Sequence, residues 1–548
     1  MTTIGTAAKT WPQDKVRQRQ EAFEKVRSEY RDEIARIRQG GGEKAIERQH
    51  GKGRLTARER IERLKDPGTP FMELGLYAAY GMYEEYGSPP AAGIITGIIT
   101  VEGHDCVVAA NDATVKAGAY FEVTLKKNLR AQQFALENHL PIIYLVDSAG
   151  VFLPLQDQVF PDEAHFGRIF YNNARLSALG VPQIAAVMGP CVAGGAYLPV
   201  MCDKYIMVEG SFMFLAGPAL VKAAIGQEID AETLGGATTH SAISGTADYH
   251  EPDDEAAIRR IRSILATINL PRERAFQRRE PTEPRLPAGD IPGLLYPPET
   301  TQYDVREILA RILDGSNFEE YKATYGKTLV CGTGRIGGYA IGIVANQKVV
   351  QQTEEGEMQM GGVIYSDSAD KAARFIMNCN QDRIPLLFIQ DVNGFIVGRD
   401  AEWGGIAKDG AKLVNAVANS VVPKITVVIS GSYGAGNYAL CGRAYDPRFM
   451  FAWPTARIAV MGGAQAANTL ADIQLARMKN PTEEDRQRIV SELEARYERQ
   501  SDPRYAAARM WVDEIIMPED TREVLVRCLE LCDHQTLIPA PRFGVLQV

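Results

Sequence analysis

Two glycine-rich turns are the segments of this sequence whose residue types best suit chemistry. The first spans Gly189–Tyr197 and the second spans Gly431–Tyr438. In each, an apolar run typical of a strand leads into residues with little or no side chain, and a helix is predicted to follow. Unpaired N–H groups at a helix start favour an anion such as an enolate oxygen or a phosphate. The alternative is that small residues simply let a helix pack closely on a sheet.

Other chemical motifs are excluded by their spacing. A phosphate loop would need glycine at position 321 ahead of Gly326-Lys327-Thr328, and Tyr321 stands there. The sequence has no G-x-S-x-G nucleophile motif, and its seven histidines lack metal-ligand spacing. We therefore expect no metal bound by this chain. The eight cysteines form no C-x-x-C pair, which favours reduced thiols in a cytoplasmic protein.

Composition narrows the class of protein. The 548 residues are 45% hydrophobic and 24% charged, as in soluble globular proteins of several domains. A net charge of −9 argues against nucleic-acid binding. The uncharged stretch 184–202 is interrupted by glycine and proline, so it indicates a buried strand and turn rather than a membrane span. The first residues lack the pattern of a signal or transit peptide, so we expect a cytoplasmic protein without a membrane partner.

The second half of the sequence repeats features of the first. Leu140–Gly150 has a counterpart in Ile384–Gly394, and Val181–Tyr197 has one in Val422–Tyr438. Both pairs are apolar runs that end in a turn, and they recur in the same order. Helical patterns such as 123–137 alternate with the apolar runs, which is typical of an α/β unit. The sequence therefore predicts a tandem duplication of one α/β unit.

A proline-rich segment separates the two halves. Residues 271–298 carry seven prolines, a density that stiffens a linker and disfavours regular structure. We predict four parts: an N-terminal helical segment (1–50), a first domain (51–270), a linker (271–300), and a second domain with a charged helical tail (301–548).

From Gly51 to Trp511 the sequence resembles the carboxyltransferase (β) subunits of biotin-dependent acyl-CoA carboxylases. The segments Val159–Asn172, Gly404–Lys412 and Ala435–Gly442 are most similar to the 3-methylcrotonyl-CoA and geranyl-CoA carboxylase branch. The resemblance implies two crotonase-like spiral domains in tandem and a homohexamer. It also implies an active site between the first domain of one subunit and the second domain of another.

The resemblance further implies transfer of carboxylate from carboxybiotin to an acyl-CoA. The chain has no Met-Lys-Met segment to carry biotin and no nucleotide loop. We therefore expect a separate α subunit that supplies the biotin carboxylase and the biotin carrier. The transfer forms two transient oxyanions, one on the acyl-CoA thioester and one on biotin, and each requires its own oxyanion hole. By resemblance, Gly194 and Gly195 with the turn at Gly118 hold the acyl-CoA enolate, and Ala435 and Gly436 hold the biotin oxygen. Which half serves which anion stays open.

Further residues are candidates for substrate binding. Lys126, Lys127 and Arg130 are predicted to meet the CoA phosphates, with ordinary surface charge as the alternative. His165 is another candidate, with an ordinary hydrogen-bonded histidine as the alternative. The candidate walls of the acyl pocket are Ala149, Gly150, Phe152, Phe395 and Tyr438. Because Ala149 and Phe152 depart from the residues usual in the methylcrotonyl branch, the acyl group stays open.

Three other functions remain as alternatives to a methylcrotonyl-type carboxyltransferase. The first is a propionyl-CoA-type β subunit. The second is a glutaconyl-CoA decarboxylase α subunit, which runs the transfer in reverse. The third is a scaffold that uses the doubled fold only for assembly.

Overall fold

The computed structural model describes residues 1–270, 273–298, 300–478 and 481–546 and has a mixed α/β fold. It divides into two compact units. The N-terminal unit comprises Arg31–Glu273 and Ala507–Met510, and the C-terminal unit comprises Met1–Tyr30, Arg274–Ala506 and Trp511–Val548. The division after Glu273 falls within the proline-rich segment. Of the helices that the described residues form, none combines the length and apolar composition that crossing a membrane requires.

The strands and helices alternate along much of the chain. The strands are β1 (Thr2–Thr3), β2 (Met72–Leu74), β3 (Ile94–Val101), β4 (His104–Asn111), β5 (Ile142–Ser148), β6 (Gln183–Val192), β7 (Lys204–Val208), β8 (Phe212–Phe214), β9 (Tyr249–Glu251), β10 (Asn317–Tyr321), β11 (Leu329–Ile336), β12 (Tyr339–Asn346), β13 (Gln351–Gln352), β14 (Met358–Gln359), β15 (Val363–Ile364), β16 (Leu386–Val392), β17 (Gly394–Phe395), β18 (Lys424–Tyr433), β19 (Phe449–Ala452), β20 (Arg457–Ala459) and β21 (Glu514–Ile515). The helices are α1 (Gln13–Arg38), α2 (Glu43–His50), α3 (Ala57–Leu64), α4 (Glu122–Asn138), α5 (Phe166–Ala178), α6 (Tyr197–Val200), α7 (Pro218–Ile225), α8 (Ala231–Gly235), α9 (Asp254–Thr267), α10 (Ile291–Leu295), α11 (Val305–Leu309), α12 (Ser366–Gln381), α13 (Arg399–Trp403), α14 (Ile406–Ala418), α15 (Gly434–Ala439), α16 (Gly463–Leu475), α17 (Glu483–Ser501), α18 (Pro503–Ala508) and α19 (Thr521–Cys532).

The two units contain sheets with the same strand order. In the N-terminal unit the order is β2-β3-β4-β5-β6-β7-β9, with β8 also beside β6. In the C-terminal unit it is β10-β11-β12-β16-β18-β19-β21, with β20 also beside β18 and β1 added outside β10. In both sheets the first three strands are antiparallel and the later neighbours are parallel.

The middle strands are buried because helices cover the sheet. Every residue of β5 and of β16 is buried, which explains the apolar runs 142–146 and 386–389 with which these strands begin. In the N-terminal unit α3 and α9 pack on one cluster through Ile61, Ile258 and Ile261. In the C-terminal unit α12 and α14 pack on the equivalent strands, with Ile376 and Leu413 fully buried.

The proline-rich segment is only partly irregular. Over its described residues the sequence predicted no regular structure, yet α10 forms at Ile291–Leu295 with all five residues buried. Pro292 lies in the first turn of α10, where the helix has no use for its missing amide donor. The position of the proline, rather than the density of prolines, decides the local structure here.

A buried ion pair fixes the edge strand of the N-terminal unit to a helix. Both carboxylate oxygens of Glu73 on β2 accept hydrogen bonds from Arg58 on α3, at 2.8 and 3.0 Å. Burial raises the pKa of Glu73, but hydrogen bonding to Arg58 and the charges of Arg58, Lys127 and Arg38 outweigh burial and hold that pKa below its ordinary value of 4.5. The ionised carboxylate therefore stabilises the folded state.

We expect the variant Glu73→Gln to lose about 1–3 kcal/mol of stability at pH 7, because it loses a charge-assisted hydrogen-bonded pair. The pKa of Glu73 is lower in the folded state than in the unfolded one, so its contribution is complete above about pH 4.5 and is lost as the pH falls through the folded-state pKa. Thermal unfolding of both proteins from pH 7 to pH 3 checks this. The gap between their midpoints should narrow with acid, and a constant gap would contradict the assignment.

Candidate functional site

Parallel strands bring the predicted site residues of the N-terminal unit to one edge of its sheet. Strand β4 is parallel to β5, and β5 is parallel to β6. The carboxyl ends of the three strands therefore meet at the same edge. The turns at Gly118, Gly150 and Gly194 follow these strands. In the C-terminal unit, β12, β16 and β18 are likewise parallel, and Gly434–Ala439 follows β18 directly.

The turn after β6 leaves its two glycines half-buried, with open space where a side chain would lie. A 3₁₀ turn spans Ala193–Ala196 and leads into α6. A side-chain carbon added at Gly195 would meet no atom within 4 Å, and one at Gly194 would meet only the Phe170 ring, at 4.0 Å. Close packing of helix on sheet therefore does not explain these two glycines. Ala193 has a positive φ of 56°, so the backbone turns sharply before the glycines.

The turn after β4 is held against the end of β5. Gly118 has a φ of +66°, and a side-chain carbon there would overlap the Asp147 carbonyl. Its amide donates to the Val115 carbonyl at 2.9 Å, and its carbonyl accepts from Ser148 Oγ at 2.7 Å. Lys116 and Ala117 are the exposed residues of this turn, and the Ala117 amide has no acceptor among the residues that the structure describes. The sequence singled out the glycine, but Ala117 presents the open donor.

The loop that follows β5 continues the same edge. The Ala149 amide donates to the Ala117 carbonyl at 2.9 Å, while Ala149 itself is exposed. Gly150 is buried, and its carbonyl accepts from the Tyr120 amide at 2.9 Å. These bonds join the loops after β4 and β5.

Aromatic rings form a wall beside these turns. The Phe152 ring stacks on Phe121, with centroids 4.4 Å apart, and contacts the edge of Tyr86 at 5.1 Å. A second group of rings consists of Tyr120, Phe166, Phe170 and Tyr197, with centroids 4.9–6.2 Å apart along that series. Sequence reasoning named only Phe152 of these aromatic residues, because no single motif marks the others.

His165 is half-buried at the start of α5. Its Nδ1 accepts from the Asp162 amide at 3.2 Å, so a local backbone contact holds the ring.

The three cations of α4 have different surroundings. Lys126 is half-exposed and forms an ion pair with Glu122 at 2.7 Å. Lys127 is fully buried, and its Nζ donates to the Ala91 carbonyl at 3.0 Å. Arg130 is 3% exposed, and its guanidinium lies over the Phe134 ring at 4.2 Å. Only Lys126 among them reaches solvent, because Lys127 and Arg130 follow Val123 at helical spacing on a buried face of α4.

The turn after β18 differs from its counterpart in packing. Ala435 is exposed, whereas Gly436 is buried, and a side-chain carbon there would press on Val392 at the end of β16. Both residues lie in the first turn of α15, where backbone amides have no intrahelical acceptor. Packing against Val392 thus requires glycine at position 436. No such packing constraint explains the small residue at position 435.

A cavity of about 690 Å³ opens beside Ala435. Tyr438 lines it and is 49% exposed, and Arg443 adds a cation to its wall. Three further aromatic residues complete the wall: Tyr497, Tyr505 and Trp511. Phe395, in contrast, is half-buried against the hydrophobic core and contacts the backbone of Gly410 on α14.

The aspartates that precede both sites are buried rather than open. Asp147 is 2% exposed and Asp391 is 1% exposed. Burial raises the pKa of Asp147, although the charges of Arg60 and Arg54 oppose it. Their burial at the sheet edge favours a structural role over contact with substrate.

Comparison with known proteins identifies the family. A carboxyl transferase domain model matches residues 48–546. The chain belongs to the carboxyl transferase family. This carboxyltransferase is 51% identical to the biotin-dependent 3-methylcrotonyl-coenzyme A carboxylase beta1 subunit of Mycobacterium tuberculosis, over 93% of this chain and 94% of that protein. It is 49% identical to a probable methylcrotonoyl-CoA carboxylase beta chain of Drosophila melanogaster, over 90% of this chain and 87% of that protein.

A solved structure resembles the carboxyltransferase over its whole length. The β subunit of P. aeruginosa geranyl-CoA carboxylase superposes with a TM-score of 0.87 and 36% identity, covering 100% of both chains. The expected membership of the biotin-dependent acyl-CoA carboxylase β subunits is confirmed, and so is the crotonase-like α/β class of the fold.

Alanine substitutions at two glycines of the carboxyltransferase compare a glycine that close packing requires with one that has open space around it. Gly118→Ala should lose more than about 2 kcal/mol of stability, because it combines a positive φ with overlap on a backbone carbonyl. Gly195→Ala should change stability by less than about 0.5 kcal/mol, because its new carbon meets nothing. Denaturant unfolding of both variants checks this, and equal losses of stability would contradict the geometry.

Proposed function

We propose that this carboxyltransferase moves a carboxylate from carboxybiotin, carried on a separate α subunit, to an acyl-CoA. Removal of a proton from a carbon conjugated with the thioester, which in 3-methylcrotonyl-CoA is a methyl carbon across the C=C bond, leaves negative charge on the thioester oxygen. The ureido nitrogen that loses the carboxylate would take up this proton. Release of the carboxylate leaves negative charge on the ureido oxygen of biotin. The observation that carries the proposal is that each sheet ends, at the carboxyl edge of its parallel strands, in a partly exposed turn whose first residues have little or no side chain. Each turn would stabilise one of these anions through backbone amides.

In this proposal the N-terminal unit holds the acyl-CoA. Gly194 and Gly195 offer amides without a covering side chain, and the turn at Gly118 adds the open amide of Ala117. Phe152 and Phe170 supply an apolar wall for the acyl chain. Lys126 remains as the exposed cation of α4 for a CoA phosphate. Ala149 and Gly150 form the floor of this acyl-CoA site, because their backbone hydrogen bonds join the loop after β5 to the turn after β4.

The C-terminal unit would hold the biotin end. Ala435 and Gly436 contribute amides from the first turn of α15. The adjoining cavity of about 690 Å³ has room for a bicyclic ring, and the aromatic rings of Tyr438 and Trp511 in its lining suit the hydrocarbon part of biotin. Carboxybiotin would supply the activated carboxylate, and the role of this chain is to position it and stabilise charge.

For the acyl group we propose 3-methylcrotonyl-CoA or a closely related branched acyl-CoA. The chain is 45–51% identical to methylcrotonyl-CoA carboxylase β chains from four organisms. It is 35% identical to the methylmalonyl-CoA carboxyltransferase 12S subunit of Propionibacterium freudenreichii and 34% identical to the methylmalonyl-CoA decarboxylase α subunit of Propionigenium modestum. The higher identity favours the carboxylase over a decarboxylase.

We also propose that the two units arose by tandem duplication. Their sheets share one strand order and one pattern of parallel and antiparallel neighbours. Lys127 and Lys371, which correspond in the two halves, both donate from a buried ammonium to a backbone carbonyl. The assembly proposed with this origin is a homohexamer, in which the N-terminal unit of one subunit and the C-terminal unit of another form each site.

Valine at either turn should block carboxyl transfer without unfolding the protein. Gly194→Val and Ala435→Val each place a branched side chain over exposed amides, so the rate should fall about 10²- to 10³-fold, as when an oxyanion donor is lost. Steady-state carboxylation with the reconstituted α subunit measures this. Gly289→Val is the control, because Gly289 is exposed and an added carbon there meets no atom within 4 Å. An intact oligomer with unchanged activity in both turn variants would contradict the site assignment.

The acyl group is tested with a panel of acetyl-, propionyl-, 3-methylcrotonyl- and geranyl-CoA. We expect the highest kcat/KM with 3-methylcrotonyl-CoA, since the wall beside Gly194 is made of large aromatic rings. Incorporation of labelled bicarbonate measures each rate. A clear preference for propionyl-CoA would replace the proposed substrate and leave the proposed reaction in place.

A further inference from the structure

The two central strand pairs share the same irregularity next to the proposed site. In the N-terminal unit the register of β5 and β6 shifts between Val146 and Ser148, so Asp147 lies opposite a bulge in β6. In the C-terminal unit the register of β16 and β18 shifts between Gln390 and Val392, so Asp391 lies opposite a bulge in β18. A bulge changes the direction of the strand that carries it. Here each bulged strand leads within a few residues into a glycine-rich turn.

The N-terminal carboxylate is buried in a polar network at the bulge. Asp147 Oδ2 accepts from Arg60 Nη1 and from Gln49 Nε2, both at 3.0 Å. Arg60 is 1% exposed, pairs with Asp254 at 2.8 Å, and donates to the Met188 carbonyl inside the bulge at 3.3 Å. A side-chain carbon at Gly189 would overlap the Asp147 carboxylate, so the carboxylate rests against the bulge itself.

The C-terminal carboxylate does the same with different partners. Asp391 Oδ1 accepts from the Gly431 amide in the bulge at 3.1 Å and from Lys348 Nζ at 3.0 Å. Its Oδ2 accepts from the Tyr303 hydroxyl at 2.6 Å. The carboxylate therefore joins the bulge to residues 43 and 88 positions earlier in the chain.

We infer that these two buried networks, centred on Asp147 and on Asp391, position the two glycine-rich turns. They would do so by fixing the direction in which the backbone N–H groups of each turn point. The inference rests on the proposed function, because it concerns the turns proposed to bind the anions. Asp147 is paired with the buried cation Arg60 and Asp391 with the half-buried cation Lys348, and each carboxylate contacts the bulge directly. None of the network residues is one we propose to touch substrate, so they act through the strand that ends in the turn. The two networks use different partners for the same contact, which generic core packing would not require.

The C-terminal network offers a closely matched pair of variants. Tyr303→Phe removes only the hydroxyl that donates to Asp391. Tyr339→Phe removes a hydroxyl that donates to buried Asp533 at 3.0 Å, at the amino end of β12 and thus at the opposite edge of the sheet. The two tyrosines are 5% and 4% exposed. Both variants lose a buried hydroxyl–carboxylate hydrogen bond, so their melting temperatures should fall alike.

Kinetics at a temperature where both variants are folded test the inference. Tyr303→Phe should lower kcat for carboxyl transfer about 10- to 100-fold, as a small misplacement of catalytic groups does, with little change in the KM for acyl-CoA. Tyr339→Phe should keep the wild-type kcat. Gln49→Met tests the N-terminal network and should also lower kcat. Equal kcat values in Tyr303→Phe and Tyr339→Phe would overturn the inference for Asp391.

Hydrogen exchange gives a readout that does not depend on activity. Peptides that cover 429–440 should exchange faster in Tyr303→Phe than in wild type and Tyr339→Phe. Unchanged exchange there would overturn the inference even if wild type carboxylates every acyl-CoA tested. Conversely, a wild-type protein that carboxylates none would refute the proposed function, and the exchange data would still decide the positioning role.

Discussion

Backbone polar groups at the ends of buried parallel strands are the constraint on which this molecule depends. Strands covered on both faces are mainly apolar, and the polar residues that β5 and β16 do carry near their ends, such as Asp147 and Asp391, are buried. What they can present is backbone, at the edge where the strands end. In both units that edge carries a turn whose residues have almost no side chain. The proposed chemistry, stabilisation of two transient oxyanions, needs hydrogen-bond donors and little else.

Such donors can stabilise an oxyanion only if the direction of their N–H bonds is fixed. In our account the buried carboxylates Asp147 and Asp391 and their partners fix it. A carboxylate taken from water must be paired and hydrogen-bonded to be tolerated. Asp147 meets this requirement with Arg60, and Asp391 meets it with Lys348 and Tyr303. Arg60 also donates to the Met188 carbonyl in the bulge of β6, and Asp391 itself accepts from the Gly431 amide in the bulge of β18. In our account the interactions that make these buried charges tolerable also fix the direction of the backbone N–H groups in the two turns.

The sequence predicted the elements well where the signal was local. The turns at Gly194 and Ala435 and the helix predicted over 123–137 all lie where the patterns indicated. Short-range periodicity determines these features.

The long-range features could not be read from the sequence. Arg60 lies 87 residues before Asp147, so nothing local pairs them. The open amide at Ala117 arises from a positive φ in a non-glycine residue, which the sequence does not reveal. The spacing of Val123, Lys127 and Arg130 could have shown that both cations face the core, because three and four residues separate neighbours on one helix face.

The most direct test is a crystal structure of the protein soaked with an acyl-CoA and free biotin. The account predicts the thioester oxygen about 2.7–3.1 Å from the amide nitrogen of Gly194 or Gly195, the hydrogen-bond range of an oxyanion hole. It predicts the ureido oxygen at similar distances from the amides of Ala435 or Gly436. An exchange of the two ligands between the turns would revise only their allocation. Oxygens bound by side chains elsewhere, with both turns unoccupied, would contradict the central claim.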